Sequence, residues 1–96
     1  MLALLLLACG ADPDIVVGCW QQTGTARTEC FHPDGRYTFQ SAKSGLFEGT
    51  WRRLGDSVEV KVDEFPPDVY AARKDGTDLV LVRADRPEKR LAPATP

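Results

Sequence analysis

The amino-acid sequence predicts an all-β fold: a small antiparallel up-and-down sheet or barrel of about seven strands. Apolar and polar residues alternate along several short runs between positions 15 and 83, as they do in strands with one buried face. Turn sequences such as Pro33-Asp34-Gly35 and Asp75-Gly76-Thr77 separate these runs and suit tight hairpins. Strands joined by hairpins pair antiparallel, and curling or closing the sheet into a barrel deals with its exposed edges.

The composition fits one globular domain and argues against nucleic acid as a partner. The 96 residues are 43% hydrophobic and 27% charged, with a formal net charge of -2. A chain of this length buries only about 60–65% of the surface of its unfolded form, so a covalent crosslink would support its core. Lys and Arg are scattered among Asp and Glu, and they form no basic face of the kind that phosphate neutralisation needs.

An apolar run at the N-terminus ends in Leu6-Leu7-Ala8-Cys9. An aliphatic residue three places before a cysteine, with a small residue directly before it, resembles the lipobox of bacterial lipoproteins. The resemblance implies a lipoprotein-type signal peptide over 1–8, lipidation of Cys9, and a lipidated tether over 9–14 that attaches the chain to a membrane. It also implies a location in the bacterial cell envelope. In this family the residue after the cysteine influences sorting, and Gly10 favours the outer membrane, on its periplasmic side. Two other interpretations of this apolar run are an ordinary secretory signal and a misassigned translation start before an apolar first strand.

A first hairpin is predicted from residues 15–22 and 26–31, with Thr23-Gly24-Thr25 as its turn. A turn centred there places Cys19 opposite Cys30, which is within reach of a disulfide. Such a pair is expected to oxidise in an exported protein. The alternative is a pair of reduced cysteines in the core.

The following hairpins agree on one apolar face. The Pro-Asp-Gly turn pairs Phe31 with Tyr37, and a turn around Leu54-Gly55 directs Trp51 toward Val58. Side chains that alternate along these strands should share the buried face. This face comprises Phe31, Tyr37, Phe39, Phe47, Trp51, Val58, Val60 and Val62.

Two more strands, 69–73 and 78–83, complete a predicted domain that spans 15–83. Consecutive prolines at Pro66-Pro67 separate them from the meander, because proline cannot sit in a central strand. Residues 84–96 contain three prolines and several charges, so the sequence predicts a flexible tail there.

The first strand carries Gly18-x-Trp20, and Asp-Gly and Gly-Thr-Trp sequences follow in the meander. This combination resembles the lipocalin-like small barrels of bacterial envelope lipoproteins. In lipocalins the tryptophan closes one end of the barrel and packs against a basic residue near the end of the last strand. The resemblance implies that Gly18 and Trp20 close the barrel, and that Arg83, or else Arg73, packs on the indole.

A lipocalin-like barrel is expected to bind a small apolar or amphiphilic ligand without catalysis. The predicted registers direct polar and aromatic side chains inward, where they could hold such a ligand: Trp20, Gln22, Arg27, Glu29, Tyr37, Phe39 and Trp51. Two plainer interpretations stay open. Arg27 and Glu29 could sit at a solvated rim, and the aromatic side chains could simply fill the core.

No pattern of residues indicates an enzyme, a cofactor or a metal site. His32 stands beside a proline in a turn, and the serines have no nucleophile-elbow context. The acidic residues near Pro66-Pro67 lack calcium-loop spacing. The alternative functions are a protein–protein module and a structural envelope component. The module is suggested because Gly18, Trp20 and Cys30 also resemble the pattern of periplasmic inhibitors of proteases or lysozymes. A cavity would favour ligand binding, and a projecting loop at 64–68 would favour the inhibitor.

Overall fold

A computed structural model of the chain describes residues 14–43 and 45–94. They form a closed barrel in which every strand pairs antiparallel with its neighbours in sequence, and the last strand pairs with the first. The predicted all-β, up-and-down fold is therefore confirmed, with eight strands. They are β1 (Gly18–Gln22), β2 (Thr28–Phe31), β3 (Arg36–Ser41), β4 (Gly45–Leu54), β5 (Ser57–Val62), β6 (Asp68–Asp75), β7 (Asp78–Val82) and β8 (Lys89–Pro93).

The strands run alternately between two ends of the barrel. What we call the closed end holds residues 14–17 and the turns at 32–35, 55–56 and 76–77. The open end holds the loops that join β1 to β2, β3 to β4, β5 to β6 and β7 to β8. The buried hydrophobic core of the barrel comprises Val16, Trp20, Phe31, Tyr37, Val58, Val60, Leu79, Leu81 and Leu91.

Two of the predicted registers are confirmed. Cys19 faces Cys30 in the first hairpin, and Phe31 faces Tyr37 in the second. The sulfur atoms of the two cysteines are 2.07 Å apart, so the predicted disulfide is present, and it lies on the outer face of the barrel. Closing a loop of this length contributes about 3 kcal/mol to stability in the chain-entropy account.

The predicted register of the hairpin between β4 and β5 was wrong by two residues. Trp51 faces Val60 rather than Val58, because the turn consists of Gly55 and Asp56 alone and Leu54 faces Ser57. A slip of two residues keeps every side chain on its predicted face, since side chains alternate with a period of two. The predicted apolar face therefore survives the change of register.

The prediction of a flexible tail over 84–96 was wrong for Lys89–Pro93, which form β8. The fully buried Leu91 anchors this strand inside the barrel. On the outer face, the Arg90 guanidinium pairs with the carboxylates of Asp75 at 2.7 Å and Asp78 at 3.0 Å. Hydrogen bonding from Arg90 also lowers the pKa of Asp75 below its usual value.

The N-terminal boundary of the domain also differs from the prediction. Residues 14–17 form a turn rather than strand, and the side chain of Val16 is fully buried beneath the closed end. The Asp14 carboxylate pairs with Arg53 at 2.9 Å, so Asp14 belongs to the barrel rather than to a tether. The folded domain spans 14–94 instead of 15–83, whereas the predicted signal peptide, Cys9 and the remainder of the tether lie outside the described residues.

Candidate ligand-binding site

A cavity of about 490 Å³ opens to solvent at the open end of the barrel. Its apolar wall comes from four strands whose inward positions alternate as the registers require. The wall consists of Phe39, Phe47, Val60, Val62 and Leu81. The volume falls within the range of about 300–1,000 Å³ that is typical of small-molecule sites.

The cavity exists because the barrel is filled at only one end. Trp20, Phe31 and Trp51 occupy the closed half, where the Phe31 and Trp51 rings meet edge to face at 5.8 Å. In the open half, the Phe39 and Phe47 rings stack against each other at 6.2 Å along one wall. The space between them is left unfilled by side chains of the described residues.

A buried polar cluster lies below the cavity. Glu29 is 1% exposed, and its carboxylate accepts a hydrogen bond from the Tyr37 hydroxyl at 2.9 Å. The Lys89 ammonium donates to the other carboxylate oxygen at 2.9 Å. Tyr37 and Lys89 line the cavity, whereas Glu29 lies behind them. A buried carboxylate needs such partners, because its desolvation costs several kcal/mol, of order 3–5 when a partner is missing.

Burial raises the pKa of the Tyr37 phenol above its ordinary value of 10.0, and the Glu29 carboxylate that accepts its proton raises it further. A phenolate at this position would be largely buried and would lie against the negative charge of Glu29. The folded barrel therefore holds this proton more tightly than the unfolded chain does.

We expect the barrel to lose stability as the pH rises above about 10, by up to about 1.4 kcal/mol per pH unit from this one group. The unfolded chain binds fewer protons than the folded chain in that range, so alkali favours unfolding. Urea denaturation at a series of alkaline pH values measures the slope. Tyr37→Phe should remove this component of the slope, and an unchanged slope in the variant would contradict the assignment.

The rim of the cavity is charged. Six charged side chains line it: Arg27, Asp68, Arg83, Arg86, Glu88 and Lys89. Arg83 is held in place by the carboxylates of Asp68 at 2.7 Å and Asp85 at 3.2 Å. Phe65 also lines the opening, although 63% of its side chain is exposed. The mouth therefore combines apolar and charged groups.

The Trp20 indole lies at the other end of the barrel, beside Gly18. Its indole Nε1 donates to the Val16 carbonyl oxygen at 2.9 Å, which ties residues 14–17 across the end of the barrel. Gly18 has a φ of 136°, a conformation that other residues adopt only with strain. The indole folds over this glycine, within 3.8 Å of the position that a Cβ would occupy.

The predicted packing of Arg83 on Trp20 was wrong, and so was its alternative, Arg73. The cation over the indole is Lys74, whose Nζ lies 5.2 Å from the ring centre. Arg83 follows β7 at the open end, where its guanidinium lies 5.8 Å from the centre of the Tyr70 ring. Arg73 points outward on the neighbouring position and pairs with Glu88 at 3.5 Å.

The structure brings together only part of the predicted ligand-binding set. Gln22, Arg27, Tyr37 and Phe39 line the cavity. Arg27 is an exposed rim residue, whereas Glu29 is buried and pairs with Lys89, so the two do not act as one unit.

Two residues of the predicted set lie away from the cavity. Trp20 and Trp51 belong to the closed half, and the Trp51 indole donates to the His32 carbonyl oxygen at 2.8 Å. The predicted ligand-binding set omitted several residues that line the cavity, among them Phe65, Tyr70, Arg86 and Lys89. The alternation of the strand at 69–73 could have placed Tyr70 inside, but no signal pointed to the other three.

The remaining features of the described chain add no further site. Within 14–43 and 45–94, no three His, Cys, Asp or Glu residues are grouped as a metal ion would require. Over the same ranges, no helix is long and apolar enough to cross a membrane. Comparisons with models of protein families, with curated proteins and with solved structures found no match to this chain.

Proposed function

We propose that this chain is an envelope-anchored lipoprotein whose lipocalin-like barrel binds a small apolar or amphiphilic ligand without catalysing a reaction. The cavity of about 490 Å³ carries the proposal, because a barrel with a fully packed interior would leave no room for a ligand. The wall is apolar and the rim is polar, which suits a molecule with an apolar body and a polar end.

The exposed Phe65 side chain supports the same function. It stands on the loop between β5 and β6 and lines the opening of the cavity. A large apolar side chain with 63% exposure is stabilised when a ligand covers it. An occupied cavity would give Phe65 that cover.

The protein–protein alternative rests on the same loop. Residues 63–67 are exposed and carry Phe65 beside Glu64 and Pro66, which is the arrangement expected of a loop that inserts into a partner. In this case Phe65 would enter a pocket of the target, and the cavity would play no part. The two functions therefore predict different effects of filling the cavity.

Calorimetric titration of the folded barrel with single-chain amphiphiles tests ligand binding. We expect lauric acid or lauryl alcohol to bind the wild-type protein. Val62→Trp, which fills the cavity from its wall, should abolish binding, whereas Lys61→Trp on the outward neighbouring position should retain it. Circular dichroism must show that both variants fold. Absence of binding to the wild type, or unchanged binding by Val62→Trp, would contradict the proposal.

The anchor is tested separately. In cells, wild-type protein should fractionate with membranes, whereas Cys9→Ser should fractionate with the soluble proteins of the envelope. Cys9 is the natural choice because the cysteine of the lipobox is the residue that receives the lipid. Membrane association that persists in the Cys9→Ser protein would contradict lipidation but leave ligand binding intact.

A further inference from the structure

The mouth of the cavity is positively charged although the chain as a whole is acidic. Four cationic and two anionic side chains line the cavity, whereas the whole chain carries a formal net charge of -2. A concave site with low-dielectric walls focuses the field of such charges. Cationic side chains therefore outnumber anionic ones in the lining of the cavity, the reverse of the balance in the whole chain.

Two of the four cations are already neutralised within the protein. Lys89 is paired with the buried Glu29 at 2.9 Å. Arg83 is paired with Asp68 at 2.7 Å and with Asp85. Neither charge is free to bind a ligand without first giving up a carboxylate.

Arg27 and Arg86 are the other two. Both side chains are exposed and line the cavity. In the part of the chain that the structure describes, neither guanidinium forms an ion pair, and the lining carboxylate of Glu88 is directed to Arg73 and Arg90 instead. These two guanidinium groups are therefore uncompensated charges at the entrance to an apolar cavity.

The two arginines come from loops on neighbouring sides of the mouth. Arg27 precedes β2 and Arg86 lies in the loop before β8, and β1 pairs with both of these strands. A hydrogen bond from the Thr23 amide to the Arg90 carbonyl oxygen, 3.3 Å long, joins the two sides. Both arginines therefore lie near the opening of the cavity, on adjacent loops.

We propose that the ligand is a single-chain anionic amphiphile, with its head group bound by Arg27 and Arg86 and its apolar chain against Phe39, Phe47 and Val62. This inference rests on the proposed ligand-binding function. A planar guanidinium donates two parallel hydrogen bonds to a carboxylate or a phosphate. A neutral head group gains less from such a site, and a cationic head group is repelled.

Titration calorimetry with matched probes tests the charge of the head group. Lauric acid, lauryl alcohol and dodecyltrimethylammonium carry similar chains with negative, neutral and positive heads. We expect lauric acid to bind about tenfold more tightly than the alcohol at low salt, with the difference shrinking as salt is added. Dodecyltrimethylammonium should bind most weakly. Lauroyl lysophosphatidic acid, in a parallel titration, distinguishes a phosphate head from a carboxylate.

The double variant Arg27→Gln/Arg86→Gln tests the residues. Its affinity for lauric acid should fall about tenfold, to the level of the alcohol, while its affinity for the alcohol stays within about twofold of wild type. The double variant Arg27→Lys/Arg86→Lys should retain part of the preference, because it keeps the charge but loses the planar fork. Lys43→Gln is the matched control, since Lys43 is an exposed cation at the same end that does not line the cavity.

The outcomes separate this inference from the function on which it rests. Equal binding of acid and alcohol by the wild type, or an unchanged preference in the double glutamine variant, overturns the inference while ligand binding stands. Loss of the preference in Lys43→Gln would also overturn it, because the effect would then be one of total charge. Binding of none of the probes overturns the proposed function and this inference together.

Discussion

Lys89→Met is expected to lower the free energy of unfolding by about 3–5 kcal/mol. The substitution keeps most of the apolar stem but removes the ammonium that pairs with Glu29, whose side chain is 2% exposed. The buried carboxylate would keep only the Tyr37 hydroxyl as a hydrogen-bond partner. Urea denaturation followed by tryptophan fluorescence measures the loss.

The matched control is Lys43→Met, which removes an exposed lysine from a loop at the same end and should change stability by less than about 0.5 kcal/mol. The double variant Glu29→Leu/Lys89→Met should regain much of the lost stability, since an apolar pair of similar volume replaces both charges. A Lys89→Met protein as stable as the control would show that Glu29 does not depend on Lys89.

The second large effect is expected from Gly49→Ala, with a loss of about 3 kcal/mol. A Cβ at this position would overlap the Lys61 carbonyl oxygen and lie 3.0 Å from the Val62 Cα. Both contacts are to backbone, so β4 and β5 would have to separate. Glycine in a strand otherwise costs about 0.5–1 kcal/mol relative to alanine, so without the contact the substitution would stabilise the barrel.

Thermal and urea denaturation decide the sign of the Gly49→Ala effect. Glu48→Ala is the control, because Glu48 is the preceding residue on β4 and is exposed on the outer face. Its replacement should leave stability within about 0.5 kcal/mol of wild type. A Gly49→Ala protein that is more stable than wild type would mean that the two strands tolerate the added methyl group.

Local turn chemistry explains why much of the barrel could be predicted from the sequence. The turn at Gly24 was sufficient to place Cys19 opposite Cys30, because a tight hairpin leaves one register for its strands. The turn between β4 and β5 was misplaced by one residue, because the prediction centred it on Leu54-Gly55 whereas it consists of Gly55 and Asp56. The alternation of side chains still directed Trp51 inward.

β8 could not be predicted, because only one of its residues gives an apolar signal. Leu91 is buried, but Lys89 faces inward as the partner of Glu29, a contact between residues 60 positions apart. Long-range ion pairs leave no local pattern. Without β8 the predicted barrel has seven strands, and its last strand ends at Arg83. The prediction therefore placed Arg83 beside Trp20 at the closed end, whereas Arg83 lies at the open end.

The cavity wall could be predicted from the alternation of side chains along the strands, but the rim could not. Inward positions on regular strands, such as Tyr37 and Phe39, follow from alternation. The rim depends on loops, and loop conformation is set by contacts made after the strands have paired. Arg86 and Phe65 could therefore be placed only once the barrel was closed.

Because the number of strands is even, both ends of the chain lie at the end of the barrel opposite the mouth. Because β1 begins and β8 finishes on the same side, the chain enters and leaves the barrel next to Trp20, where the Ala94 amide donates to the Cys19 carbonyl oxygen at 2.9 Å. A lipid on Cys9 would hold that side toward the bilayer, through a linker of at most about 17 Å from Cys9 to Asp14. The mouth would then look away from the membrane, and its ligand would arrive from, or be handed over to, the aqueous side.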